Sequence, residues 1–210
     1  MEAAELNEFA AGADELARRD PALARAIAVV GPPNVRPPQD TYFAALCRSI
    51  IFQQLAGKAA AAIFGRFVSA VGPELTHLAV LAASEADLRG AGLSAAKTAS
   101  VRDLAAKVGD GTVPLDGIEE LADDEIVARL VSVRGIGRWT AEMFLIFQLR
   151  RPDVWPVDDL AVRRGYAVMH GLDAWPKPKE LERLGDAYRP WRSVAAWYCW
   201  RMTGVVLPAS

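Results

Sequence analysis

Apolar residues recur at three- and four-residue spacings along nearly the whole chain, while the two-residue alternation of strands and Asn-Gly hairpin turns are missing. The fold class this predicts is all-α. A first helix spans about 2–29 and ends at Gly31-Pro32-Pro33-Asn34-Val35-Arg36-Pro37-Pro38, where four prolines forbid helix and favour an extended linker. Helices then follow from Thr41 to Phe52 and from Gly57 to Val71. Ser84-Glu85-Ala86-Asp87 reads as a capping signal, because a serine oxygen can accept the first orphan amides of a helix. Ser94 caps the next helix, which runs to Val108 and stops at Gly109-Asp110-Gly111. Asp123 is expected to cap a helix ending near Val133, and three more are predicted over Leu160–His170, Pro178–Tyr188 and Pro190–Met202.

Composition narrows the class. Of 210 residues, 52% are hydrophobic and 24% charged, which suits a globular chain and excludes disordered and fibrous classes. The longest apolar stretches, such as 78–83, fall far short of the roughly 18 residues of a membrane helix. The first residues carry Glu2, Glu5 and Glu8 instead of a basic region, so a cytoplasmic protein is expected. Cys47 and Cys199 lie in hydrophobic runs and are expected to be buried free thiols; two cysteines cannot hold an iron-sulfur cluster. His77 and His170 have no metal-ligand spacing.

Charge is uneven. Residues 1–130 hold 12 Lys or Arg against 18 Asp or Glu, a net of −6, whereas residues 131–210 hold 12 against 8, a net of +4. The basic part is rich in arginine: Arg134, Arg138, Arg150, Arg151, Arg163, Arg164, Arg189, Arg192 and Arg201. Such forked donors suit phosphate, although on charge alone a solvated helix surface is the plainer explanation.

Chemistry concentrates in Val131-Ser132-Val133-Arg134-Gly135-Ile136-Gly137-Arg138-Trp139-Thr140-Ala141. Two glycines around one apolar residue permit a tight hairpin, and the helix after it presents its first amides outward, making a phosphate-sized anion site. Gly-Ile-Gly alone also fits an ordinary αα-corner. With three further blocks, however, the chain resembles the helix-hairpin-helix DNA glycosylases, and among them the alkylation-repair, 3-methyladenine glycosylase II (AlkA) type. Those blocks are Ile50-Ile51-Phe52-Gln53-Gln54-Leu55-Ala56, Gly92-Leu93-Ser94-Ala95-Ala96-Lys97 and Trp155-Pro156-Val157-Asp158-Asp159-Leu160. Arg189-Pro190-Trp191-Arg192-Ser193, followed by Trp197 and Trp200, resembles the alkylation branch in particular, and the likeness covers about 40–205.

The resemblance implies a monofunctional base-excision enzyme that flips an alkylated purine out of duplex DNA and hydrolyses its bond to the sugar. It implies that Leu55 is the wedge filling the vacated stack, with Gln54 beside it on a base edge; leucine is otherwise more often core. Gly135, Ile136, Gly137, Arg138 and Thr140 would hold a DNA phosphate. Asp159 would be the catalytic carboxylate, since Val162 and Arg164 then fall on the family's apolar and basic positions, and Asp158 a helix cap or supporting partner. Capping by both aspartates is the plain alternative. Trp139 stands where lyase relatives carry lysine, which an indole cannot replace as a nucleophile. It would stack on a cationic base, with Trp200, Met143 and Leu160 as further pocket walls; any of the tryptophans could instead be core. The backbone carbonyls of Val131, Val133 and Ile136 are implied ligands of a sodium or potassium ion, and no other cofactor is required; the resemblance also implies a monomer associated with the bacterial nucleoid.

The expected architecture is two helical subdomains flanking a cleft, an internal bundle over 40–130 and a second lobe of 1–39 with 131–210, the helix-hairpin-helix spanning about 123–149. Only about 40 residues precede the first matching block, so the β-domain of the larger relatives is expected to be absent. Met143 and Leu160 replace aromatic residues of the larger enzyme, which implies a roomier pocket. The rivals are a glycosylase of the same fold for a neutral or oxidised base, a noncatalytic DNA-binding module, and a helical scaffold for protein partners.

Overall fold

Side-chain caps set the starts of about half of the described helices. The computed structural model describes residues 2–35, 37–72 and 74–204, with side chains from Glu8 onward. Arg36 of the linker, the side chains of Glu2 and Glu5, and position 205 at the end of the matching stretch lie outside the described residues. Among the described residues there are helices and no strands.

The first predicted helix is two, α1 (Glu2–Arg19) and α2 (Pro21–Val30). Asp20 is extended at φ −130°, and its carboxylate accepts the amides of Ala22 and Leu23. Pro21 follows at the first helical position, where its missing N–H would have had no helical partner anyway. After the linker come α3 (Tyr42–Phe52), capped by Thr41, and α4 (Gly57–Val71). The short α5 (His77–Ala82), which periodicity does not register, is capped by Thr76. Ser84 opens α6 (Glu85–Gly90) and Ser94 opens α7 (Ala95–Gly109), each hydroxyl accepting the amide three residues on. In α8 (Asp123–Val131) the cap position is Ala122, so Asp123 is inside the first turn, where its charge favours the positive end of the helix dipole. Then come α9 (Arg138–Phe147), α10 (Leu160–His170), α11 (Pro178–Leu184) and α12 (Arg192–Met202). The helix predicted over Pro178–Tyr188 tightens after Leu184 into a 3₁₀ turn, and the last helix starts at Arg192 rather than Pro190.

Contacts divide the chain into two units, residues 39–144 and residues 1–38 with 145–210, the division falling within α9. The sequence pattern puts the second boundary at 130 and the hairpin with the terminal helices. The hairpin groups instead with the internal unit because α7 grips it, as described below.

In the internal unit, α3 packs on α4 and α7 around Leu46, Ile50, Ile51, Phe67 and Leu104, all buried. In the other unit α12 is the central helix. Its residues from Ser193 to Trp200 are buried on every side, as expected of a helix that α1, α2 and α10 surround. α10 crosses α12 so closely at Gly165 that a Cβ there would lie 2.0 Å from the Cys199 carbonyl oxygen. Cys47 and Cys199 are both buried and unbridged, and burial pushes both thiols far above the usual range.

Candidate active site

The internal unit carries the hairpin. After α8 the chain turns through Ser132–Gly137, with the Ile136 amide donating to the Val133 carbonyl (3.1 Å), and α9 begins as the Ala141 amide donates to the Gly137 carbonyl (3.1 Å). Gly135 is left-handed at φ +80°, and a Cβ there would sit 2.7 Å from Ser100 Oγ on α7. Gly137 differs: a Cβ would meet nothing within 4 Å, so packing does not require glycine there and the open side faces away from protein. Ile136 and Thr140 are buried, so their main-chain atoms rather than their side chains could meet an anion. Arg138 Nε donates to the buried carboxylate of Glu142 (3.0 Å), tethering an otherwise exposed guanidinium.

Beneath the hairpin lies a brace that the motif does not reveal. Asp103 on α7 accepts the Arg134 amide (2.7 Å) and the Lys107 ammonium (3.0 Å), and Lys107 also donates to the Ser132 carbonyl. Burial tends to raise the Asp103 pKa, but these two donors outweigh it and hold the carboxyl below the usual range. Lys107 lies four residues after Asp103, an i,i+4 spacing visible in the sequence but common on solvated helices.

The turn between α3 and α4 presents Gln54 and Leu55 outward. Leu55 is 39% exposed, which removes the core-leucine alternative, and Gln54 adopts a left-handed conformation at φ 57°. Gln53 Nε2 donates to the Gly135 carbonyl (2.8 Å), and Lys97 Nζ donates to the carbonyls of Ile51 (2.7 Å) and Gln53 (2.9 Å). Both residues stand in the family-like blocks, yet neither role is legible there.

Trp139, 48% exposed at the second position of α9, is not a core residue, and Met143 one turn on is half-buried. Of the three carbonyls implied as cation ligands, that of Val133 already accepts the Ile136 amide, while Val131 lies at the exposed end of α8.

The terminal unit carries the carboxylate. Asp159 is buried and is itself the cap of α10, its Oδ1 accepting the amides of Ala161 (2.7 Å) and Val162 (3.0 Å). Asp158 is exposed and does not cap the helix, because α10 begins one residue later than such a role needs. The segment leading to Asp159 is fixed by Trp155, whose indole donates to the Leu181 carbonyl (2.8 Å), and by Ser193, whose hydroxyl accepts the Val154 amide (2.9 Å). Leu160 is 62% exposed beside the carboxylate. Trp200, at 2% exposed, is a core residue packed on Phe147 with ring centroids 5.8 Å apart, and Trp191 and Trp197 are packing residues too.

Several arginines of this half are tied internally. Arg192 grips Asp153 through two nitrogens, Arg189 bonds the same carboxylate, Arg163 donates to the Pro176 carbonyl and Arg150 to that of Val35. Their number therefore overstates the surface available to a polyanion. Among the described residues no cluster of metal-binding side chains occurs. A groove of about 710 Å³ lined by Tyr42, Leu75, His77, Val108 and Leu115 contains none of the residues above.

Residues 47–190 match the family model of the HhH-GPD superfamily base excision DNA repair proteins. The chain belongs to that family. It is 39% identical over 159 residues, 74% of its own length and 70% of the relative's, to DNA-3-methyladenine glycosylase 1 of Schizosaccharomyces pombe. The solved structure of a 3-methyladenine DNA glycosylase from that yeast in complex with abasic DNA superposes with a TM-score of 0.79 at 34% identity, covering 92% of this chain and 97% of the other. A DNA-3-methyladenine glycosidase from Bacillus halodurans superposes with a TM-score of 0.82 at 33% identity, covering 89% and 86%. In HhH-GPD terms, α8, the hairpin and α9 are the helix-hairpin-helix.

Proposed function

We propose that this HhH-GPD protein is a monofunctional DNA glycosylase that excises alkylated purines of the 3-methyladenine and 7-methylguanine type from duplex DNA. The observation that carries the reading is Trp139. An exposed indole at the second position of α9 can stack on a flipped base and, through its quadrupole, favours the cationic ring of an alkylated purine. It offers no amine to attack the sugar, so the product is an abasic site without strand cleavage.

The remaining residues supply the other steps. Main-chain amides of the hairpin, with the open side of Gly137, hold a phosphate. Leu55 enters the stack as the base leaves it, offsetting the few kcal/mol that unstacking costs. As the sugar-base bond lengthens, positive charge develops on the sugar, and the Asp159 carboxylate stabilises it and orients the attacking water. Its two amide bonds fix the carboxylate before the reaction, so little reorganisation is needed. An alkylated purine already carries the positive charge that makes it a leaving group, so no second acid is required. The carbonyls of Val131, Val133 and Ile136 are oxygen donors of the kind an alkali cation takes, and Val133 keeps a second lone pair beside its one amide bond. A sodium or potassium ion there would neutralise a phosphate oxygen.

The test is release of free base from methylated duplex DNA, with strand breaks scored before and after alkali. Asparagine caps helices as well as aspartate does, so Asp159→Asn removes the charge while preserving the start of α10. Methylated purines are released by the native chain, breaks appear only after alkali, and the variant is slower by about a hundredfold or more. Breaks without alkali would refute the monofunctional reading. Salt-sensitive duplex binding with no base released would make the chain a binding module or direct it to another lesion.

A further inference from the structure

We infer that Lys97 and Gln53 are positioning residues that fix the turn bearing Leu55 to the hairpin, so that wedge and phosphate anchor act as one preformed body. The inference rests on the flipping function proposed above. Lys97 is the third residue of α7, where the positive end of the helix dipole disfavours a cation. Its ammonium bonds the Ile51 and Gln53 carbonyls at the end of α3, where the dipole favours one. A lysine placed against one dipole to satisfy another serves the segment it holds, and that segment ends in Gln54 and Leu55.

The turn itself is not relaxed. Gln54 at φ 57° lies in the left-handed region, which is unfavourable for a residue with a Cβ, and the main-chain bond that closes the turn, from the Leu55 amide to the Phe52 carbonyl, is long (3.3 Å). Shorter bonds tie it to its surroundings: Lys97 donates to the carbonyls of Ile51 and Gln53, and the Gln53 side chain donates to the Gly135 carbonyl. Gly135 is in turn held by α7 through the Arg134 amide on Asp103. The exposed leucine is thus supported by bonds that join its turn to the hairpin and to α7, and disorder that would otherwise be lost on DNA binding is removed beforehand.

The experiment compares dissociation constants, by fluorescence anisotropy, for a duplex containing a tetrahydrofuran abasic analogue and for the same duplex undamaged. Lys97→Met keeps the apolar stem and removes the donor; it is expected to weaken binding to the abasic duplex about fivefold and to leave the undamaged duplex within about twofold. Lys97→Arg restores the donor and the affinity. Gln53→Leu weakens abasic binding about threefold, and it decides the matter if Lys97→Met fails to fold, as thermal melting will show. Equal weakening on both duplexes, or none on either, would overturn the inference while leaving the enzyme's function intact. If the native chain neither prefers the abasic duplex nor releases methylated bases, the flipping function fails and this inference with it.

Discussion

Gly135 and Gly137 stand two residues apart and are glycine for different reasons. Gly135 needs a left-handed backbone and has Ser100 Oγ 2.7 Å from where a Cβ would be, whereas Gly137 has neither constraint. Gly135→Ala should therefore destabilise the fold by about 1–3 kcal/mol in thermal melting. Gly137→Ala should melt within about 0.5 kcal/mol of the native chain. At the proposed phosphate site its new methyl group would stand in the way of the phosphate, so duplex affinity should drop about fivefold. Unchanged binding by Gly137→Ala would show that no phosphate sits there. At the same scale Asp159 combines two tasks that the sequence presents as alternatives, capping α10 and holding a carboxylate in place.

Among elements, the crossing of α10 and α12 depends on Gly165, whose missing Cβ would fall 2.0 Å from main chain that cannot rotate away. Gly165→Ala should cost at least about 3 kcal/mol in urea denaturation, because the two helices must separate. Gly65, inside α4 with nothing within 4 Å of where a Cβ would stand, gives the opposite sign. Gly65→Ala should stabilise by about 0.5–1 kcal/mol, since alanine loses less backbone entropy in a helix. A neutral Gly165→Ala would show that the close approach of α10 and α12 is not what holds their unit together. The helices with sequence caps, such as α6 and α7, were legible because a serine hydroxyl is a local signal. The break between α1 and α2 was present as Asp20-Pro21 but hidden by a continuous apolar stripe. The brace of Asp103, Lys107 and Lys97 was not legible, because its bonds join residues 25 to 46 positions apart to main-chain atoms.

For the molecule as a whole, acid stability should be governed first by His170. Its ring stacks on Tyr166, its Nε2 is 2.9 Å from Tyr188 Oη, and Tyr188 donates to the Asp20 carboxylate that caps α2. Burial lowers the His170 pKa and Arg25 adds to this, and together they outweigh the attraction of Asp20 at 3.4 Å. The native state thus binds the proton more weakly than the unfolded chain. The contribution is complete above the ordinary histidine value of about 6.5 and is lost as pH falls below it. The melting temperature should drop between pH 7.5 and 5.5, and His170→Gln should flatten that slope. An equal slope in the variant would exclude His170 as the cause. Asp103, whose pKa is held low, adds a separate loss only under more acidic conditions.

What the sequence determined alone is whatever depends on near neighbours and residue type: helical class, the serine caps of α6 and α7, the glycine hairpin, and the motif order that marks the family. Exposure was decided by tertiary structure. It made Leu55 and Trp139 surface residues and Trp200 a core residue, although all three are large and apolar. It also turned Arg189 and Arg192 from an apparent phosphate face into partners of Asp153. The physical reason is common to these cases. Burial and hydrogen bonding are set by whichever groups the fold brings alongside, and a one-dimensional pattern records which groups exist without recording which of them meet.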